Sequence, residues 1–169
     1  MSRIERCIRL DFDEILTDHD RFWDSDLTLQ LHHPIFLHEF GDTAFVIRKG
    51  GQVVAYLFGF FAQTGPLAYV HMVAVRKGHR GQGLARRLYA RFVAAARAKG
   101  LEQLKATASP LNAASIHFHH SIGMRSTGEP NDEGVVVEKD YLKPGSDRVV
   151  FLMPLDSREA DTLLASSDP

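Results

Sequence analysis

Val73-Ala74-Val75-Arg76-Lys77-Gly78-His79-Arg80-Gly81-Gln82-Gly83-Leu84-Ala85-Arg86-Arg87-Leu88 is the stretch in which the chemistry of the chain changes twice. Before it, Leu67 to Val75 is apolar except for His71 and reads as a strand. Arg76 to Gly83 cannot continue that strand, since it is basic and carries Gly78, Gly81 and Gly83 within six residues. From Leu84 a helical period sets in. Leu84, Leu88 and Phe92 with Ala95 and Ala96 form an apolar stripe, while Arg86, Arg87, Arg91 and Arg97 lie largely outside it. Gly100 stands where a C′ glycine ends a helix. A glycine loop between strand and helix exposes backbone N–H groups at the positive end of the helix dipole, which suits a phosphate or pyrophosphate. A tight turn that merely needs positive φ is the plainer reading. Charge favours the anion site: from Arg76 to Lys99 there are eight Lys or Arg and no Asp or Glu.

Working outward, Ala44 to Arg48 and Val53 to Phe61 are rich in β-branched and aromatic residues and flank the turn Lys49-Gly50-Gly51-Gln52. A Gly65-Pro66 break then leads into the Leu67–Val75 run, making three consecutive antiparallel strands. Ile4 to Leu10 is expected as a short first strand, and Asp11 to Leu31 as one or two short helices. Downstream, Leu101 to Ala108 reads as a strand and Asn112 to His120 as a short helix closed by Gly123. Val135 to Glu138 and Val149 to Met153 read as closing strands, and 156–169 as a flexible tail. The fold class is mixed α/β (α+β) around one mostly antiparallel sheet, with 1–155 as a single domain. A chain of 169 residues fits that count.

A net charge of −1 excludes a polycation built for DNA or an anionic membrane, so electrostatic function must come from local charge segregation. Cys7 is the single cysteine, which excludes an intramolecular disulfide and fits a reducing compartment. The longest apolar stretch, Val53 to Ala62, is ten residues, short of the ~20 a spanning helix needs. The N-terminus mixes charges without an apolar core, so no secretory signal is read there and a cytoplasmic location is expected. A nucleoside-triphosphate P-loop is excluded because Gly83 is followed by Leu84-Ala85 rather than Lys-Ser/Thr. A dinucleotide fingerprint fails because position 86 is Arg and the upstream strands form a meander.

Arg80-Gly81-Gln82-Gly83-Leu84-Ala85 resembles the Arg/Gln-x-x-Gly-x-Gly/Ala signature of the GCN5-related N-acetyltransferase (GNAT) superfamily. Asn112-Ala-Ala-Ser-Ile-His-Phe-His-His-Ser-Ile-Gly-Met is similar to that family's second signature, and the resemblance spans roughly Ala44 to Met153. It implies a sheet splayed at the cofactor strand. It further implies that Val73, Ala74 and Val75 pair through their backbone with the pantetheine arm of acetyl-CoA. Gly81, Gln82, Gly83, Leu84, Ala85 and Arg86 would supply amides to its pyrophosphate beside Arg80, and Asn112 would hydrogen-bond the cofactor. An acetyl group would pass to a primary amine, expected to belong to a small molecule, in a ternary complex. A homodimer is a further implication.

Acetyl transfer needs a neutral amine, stabilisation of charge on the thioester oxygen, and a proton for the departing thiolate. Many family members carry Tyr seven residues after the Asn; here that position is His119, which the helical period places on the face of Asn112. His119 is therefore the expected proton donor, against the plainer reading of a packing residue. A Glu used by peptide-acetylating members would fall at Thr107, so His71 is the candidate base, with Glu39 ranked below it. A metal site built from His117, His119 and His120 lacks acidic or Cys ligands beside them, so no metal is assigned. Phe22, Trp23, Phe36 and Phe40 with His32, His33 and His38, together with Asp132, Glu133, Glu138, Asp140 and Tyr141, are candidates for an aromatic and acidic pocket taking a cationic amine. The rival readings are an acyl-CoA sensor without catalysis, a peptide N-terminal or lysine acetyltransferase, and a nucleic-acid-binding module using the basic run.

Overall fold

The computed structural model of the chain describes residues 2–166. Its strands are β1 (Ile4–Arg6), β2 (Ala44–Lys49), β3 (Gln52–Phe61), β4 (Leu67–Val75), β5 (Gln103–Ala108), β6 (Arg125–Thr127), β7 (Glu129–Pro130), β8 (Val136–Lys143) and β9 (Ser146–Pro154). Its helices are α1 (Arg9–Thr17), α2 (His19–Phe22), α3 (Ile35–His38), α4 (Leu84–Ala98), α5 (Ala113–Ser121) and α6 (Arg158–Ala165). The strands lie in the order β1-β2-β3-β4-β5-β9-β8-β7, with β6 also on β9. Among the described residues only β4 and β5 pair in parallel, because α4 carries the chain back across the sheet between them.

Alternation along the strands separates two cores. Phe45, Ile47, Leu57, Ala68 and Val70 meet the apolar stripe of α4, Leu84, Leu88, Phe92, Val93 and Ala96. On the opposite face Ala44, Val46, Tyr56, Phe58, Met72 and Ala74 meet Phe12, Ile15, Phe22 and Phe36 from the early helices. Burying each large apolar side chain stabilises the fold by about 1.5–3 kcal/mol. Strand β4 changes phase midway: Phe58 pairs with Met72 and Gly59 with Val70, so His71 is an extra, bulged residue. Ala68 and Val70 therefore face α4, whereas Met72 and Ala74 face the other core.

Two expectations need correcting. The first strand stops at Arg6 and α1 starts at Arg9, because the Asp11 carboxylate accepts from the Ile8 N–H at 2.8 Å and pairs with Arg48. The segment after 155 is not a frayed tail through residue 166. Ser157 caps α6 by accepting from the Ala160 N–H at 3.2 Å, Ala160 and Leu163 are buried, and Arg97 pairs with Asp161 at 2.9 Å across to α4. Residues 167–169 lie outside the described residues.

Candidate active site

Strands β4 and β5 run in register only from Leu67↔Gln103 to Val70↔Ala106. Beyond that point β5 pairs on through Thr107 and Ala108 with β9, while β4 diverges from it, so the sheet opens into a slot alongside His71 to Val75. The Arg76 N–H donates to the Val54 carbonyl at 2.8 Å. Strand alternation then turns the backbone groups of Val73 and Val75 towards the slot and those of Ala74 towards Tyr56 on β3, so the expected backbone pairing of Ala74 with the arm is not available. A cavity of about 570 Å³ follows this open edge and is lined by Val73, Ala74, Val75, Arg80, Gly81, Gly83, Leu84, Ala85, Arg86 and Asn112.

At one end of the cavity stands the N-terminus of α4. Its N-cap is Gly83, with φ +72°, and the first turn contains no acid. Gly81, with φ +75°, shares the left-handed backbone that admits glycine at little cost. The first intrahelical bond runs from the Arg87 N–H to the Gly83 carbonyl at 3.1 Å, so the earlier amides have no partner within the helix. A glycine cap supplies no side chain to them, and the end keeps its full positive dipole. Arg80 holds the loop in place, donating to the Val75 carbonyl at 3.3 Å and to the Phe22 carbonyl at 2.8 Å. Arg86 donates to the Ser121 carbonyl at 2.9 Å and ties α4 to α5. Asn112 caps α5 through Oδ1, which accepts from the Ser115 N–H at 3.0 Å, and keeps Nδ2 as a donor. An elongated ligand with an amide-bearing arm and a pyrophosphate fits this donor set.

The family model of the Acetyltransferase (GNAT) family matches residues 9–124. The chain belongs to the GNAT acetyltransferase family. Two curated relatives are similar to it. An L-methionine sulfoximine/L-methionine sulfone acetyltransferase of Salmonella typhimurium is 33% identical over 120 residues, 69% of this chain and 69% of the relative. An L-2,4-diaminobutyric acid acetyltransferase of Virgibacillus pantothenticus is 26% identical over 94 residues, 55% of this chain and 59% of the relative. Among solved structures, a GNAT-family protein from Desulfovibrio desulfuricans superposes with a TM-score of 0.72 at 17% identity, covering 92% of this chain and 99% of that one. The yncA protein of Salmonella typhimurium, solved with its cofactor acetyl-CoA, gives 0.63 at 23%, covering 93% and 95%.

In this GNAT acetyltransferase the residues expected to bind cofactor, all but Gln82, line one cavity. The Gln82 side chain turns away, its Oε1 accepting from Lys49 Nζ at 2.6 Å on the β2–β3 hairpin. His119 also departs from expectation. It is 3% exposed, stacks on Phe151 at 4.4 Å, and has both ring nitrogens engaged. Nδ1–H donates to the Ser115 carbonyl at 2.7 Å, so Nε2 accepts from the Tyr89 hydroxyl, also at 2.7 Å. Burial holds its pKa down at about 4. A neutral ring without a proton at Nε2, and outside the cavity lining, is not placed to protonate a thiolate in the cleft. Asn112 and His119 do not share a face because Asn112 is the cap, with φ −92° and ψ 74°, and lies outside the helical period of α5. Ser115, Phe118 and Ser121 take the cleft face instead, and their spacing of three was the signal available in the sequence.

His71 lies on the opposite face of the sheet, stacked on Phe36 at 4.7 Å. Its Nε2 bonds the Leu31 carbonyl at 3.0 Å, which makes Nε2 the protonated nitrogen and leaves a lone pair on Nδ1. Burial lowers its pKa, so the ring is neutral near pH 7. Tyr69, not singled out in the sequence, reaches across the point of divergence, its hydroxyl 3.2 Å from Thr107 Oγ1.

The expected aromatic and acidic residues do not form one pocket: Phe36 and Phe40 gather beside His71 and Phe60, whereas Asp132 and Glu133 lie elsewhere. Phe22 and Phe36 are core residues, and Phe22 also lines the cleft. Trp23 lines the cleft, and its Nε1–H donates to the Tyr56 hydroxyl at 2.7 Å. That hydroxyl in turn donates to His32 Nε2 at 2.7 Å, since His32 Nδ1–H bonds the Thr28 carbonyl, and burial holds this ring also at about 4. His33 Nδ1 accepts from the Ile35 N–H at 3.1 Å. Asp132 and Glu133 line a separate cavity of about 450 Å³ with Asp147 and Arg148, and Asp140 accepts from the Gly145 N–H within the β8–β9 turn.

The basic run is largely spoken for as well. Arg76 pairs with Glu14 at 3.1 Å and Asp18 at 2.8 Å, and Lys77 pairs with Asp24 at 2.8 Å. Arg87 donates to the Ser2 carbonyl at 2.6 Å, and Arg91 lies over the Phe45 ring. Among the described residues no helix is long and apolar enough to cross a membrane, and no cluster of His, Cys, Asp or Glu is placed to hold a metal ion.

Proposed function

We propose that this chain transfers the acetyl group of acetyl-CoA to the primary amine of a small molecule, by direct attack in a complex of enzyme, acetyl-CoA and amine. The observation that carries the reading is the continuity of the open β4 edge with the uncapped, acid-free N-terminus of α4 in one cavity. Val73 and Val75 offer backbone groups to the arm, Gly83 to Arg86 offer amides to the pyrophosphate, and Asn112 Nδ2 adds a donor from α5. Acetyl-CoA supplies an activated thioester: the C–N bond forms as the C–S bond breaks, the amine loses a proton, and the sulfur leaves as thiolate. The Val73 N–H, turned towards the slot, would stabilise charge on the thioester oxygen. His71 is the proposed proton acceptor, directly or through water, because Nδ1 is free and the ring is neutral at the working pH. Small acceptors are favoured by the names of both curated relatives, which specify amino-acid substrates. A cytoplasmic location and a homodimer belong to the same proposal.

Calorimetric titration tests it. Micromolar binding of acetyl-CoA and coenzyme A, with none of ATP or a short DNA duplex, is the expected result, followed by amine-dependent thiol release. In His71→Gln, kcat falls about 100-fold, within the range of general-base contributions, while the acetyl-CoA Kd stays put. Failure to bind acetyl-CoA overturns the reading.

A further inference from the structure

We propose that Lys105 binds the carboxylate of the acceptor, so that the amine acetylated belongs to an amino acid or similarly carboxylated amine; this rests on the transfer reaction proposed above. On β5, Leu104, Ala106 and Ala108 pack into the core beneath α4. Gln103, Lys105 and Thr107 therefore project from the opposite face, the face of His71. Tyr69 projects there too, since its neighbours Ala68 and Val70 face α4. Tyr69 and Lys105 are register partners, and the Tyr69 hydroxyl leans towards Thr107. These three side chains thus occupy the junction at which the two strands part, where an amine must arrive to meet a thioester held in the slot.

The surroundings are apolar and aromatic. The Phe60 ring lies 5.2 Å from Tyr69, Phe40 lies 5.3 Å from Phe60, and Tyr141 on β8 sits 5.2 Å from Lys105 Nζ. Lys105 is half-buried there, and among the described residues no carboxylate lies within ion-pair distance of it. The buried or half-buried cations elsewhere in the sheet and helices mostly have polar partners: Arg48 pairs with Asp11 and Glu5, Arg76 with Glu14 and Asp18, and Arg97 with Asp161, while Lys49 donates to Gln82 Oε1 and Arg86 and Arg87 to the Ser121 and Ser2 carbonyls. A ring beneath an ammonium is a weak substitute for an anion. Arg148, the next cation along this face, shares its cavity with Asp132, Glu133 and Asp147. Lys105 is left as the uncompensated charge beside the junction. It reaches about two residues along the strand, some 7 Å, which suits a carboxylate one carbon removed from an amine lying over Thr107.

The test uses methionine sulfone, glutamine and 2,4-diaminobutyrate, each as free acid and as methyl ester, with putrescine as an amine lacking a carboxylate. Thiol release gives kcat and KM. The wild-type enzyme is expected to favour at least one free acid over its ester by tenfold or more in kcat/KM. In Lys105→Met that ratio collapses towards one through KM, and Lys105→Arg restores most of it; comparing ratios cancels the different basicities of the amines. Acetyl-CoA titration of each variant reports that the cofactor wall is intact. Preference for esters or putrescine, or a ratio unchanged in Lys105→Met, overturns the assignment and leaves the transfer reaction standing. Turnover of none of these amines by an enzyme that binds acetyl-CoA overturns both.

Discussion

Two walls meet along β4, and they are made of different material. The proposed cofactor wall, Val73 to Arg86 with Asn112, consists mostly of backbone: an open strand edge, two left-handed glycines and a helix end. The proposed acceptor wall, around His71, Tyr69, Lys105 and Thr107, consists of side chains presented by a bulge and by two strands that part. A backbone wall tolerates exchange of its side chains but not of its φ angles. A side-chain wall behaves the opposite way, and substitutions should separate the two.

The largest effect is expected from Gly83→Val. A β-branched residue at φ +72° is strained by about 1–2 kcal/mol, and relief of that strain reorients the amides ahead of Ala85. Losing one or two charge-assisted hydrogen bonds at about 1.5–3 kcal/mol each weakens acetyl-CoA binding by about 100-fold in calorimetry. Amine KM, measured at saturating acetyl-CoA, should move far less. Equal damage to both would mean the walls are not independent.

The same difference of material explains what was legible in the sequence. Glycines at 78, 81 and 83, a basic run and a 3.6-residue stripe announce a loop feeding a helix whatever surrounds it, and all but Gln82 of the predicted cofactor residues line the cavity. The three-strand meander was legible for a similar reason, since β pattern and a Gly-Gly turn are local. The acceptor wall depends on where β4 leaves β5, which is set by a bulge opposite Phe58 and Gly59 that no local pattern marks. The basic run misled in one respect: Glu14, Asp18 and Asp24 neutralise Arg76 and Lys77 from about 50 to 60 residues away in sequence, which counting charge within a window cannot reveal. Helix α6 was missed because an eight-residue amphipathic segment in a polar terminus acquires its stability from α4, not from propensity.

His119 tests the boundary between wall and core. His119→Ala removes a ring stacked on Phe151 and strands the Tyr89 hydroxyl, lowering stability by about 3 kcal/mol in denaturant titrations. Its kcat, measured well below the melting point, should fall less than about tenfold, where loss of a general acid would cost 100-fold or more. Acid sharpens the point. His119 and His32 titrate at about 4 in the folded protein, against about 6.5 unfolded. The unfolded chain therefore binds more protons, and stability present above pH 6.5 is lost as pH falls towards 4. Tm should drop between pH 7.5 and 5, and drop less steeply in His119→Ala, which carries one such ring fewer. An unchanged slope would show that His119 is protonated in the folded state, contrary to its bonding.

The smallest effect is expected at Gln82, which between Arg80 and Arg86 is the residue that does not line the cavity. Its side chain is committed to Lys49 at 2.6 Å, on the hairpin that closes β2 against β3. If the loop works through its backbone, Gln82→Ala leaves the glycine conformations on either side intact and changes acetyl-CoA affinity by less than about threefold, since a solvent-exposed hydrogen bond contributes only about 0.5–1 kcal/mol. A loss of tenfold or more would mean that the loop grips its anion with side chains, and the contrast between the two walls would fail at its best-defined point. A null effect at Gln82 beside a large one at Gly83 would show that neighbouring positions in one loop differ because one is chosen for its φ and the other for its contact with the hairpin.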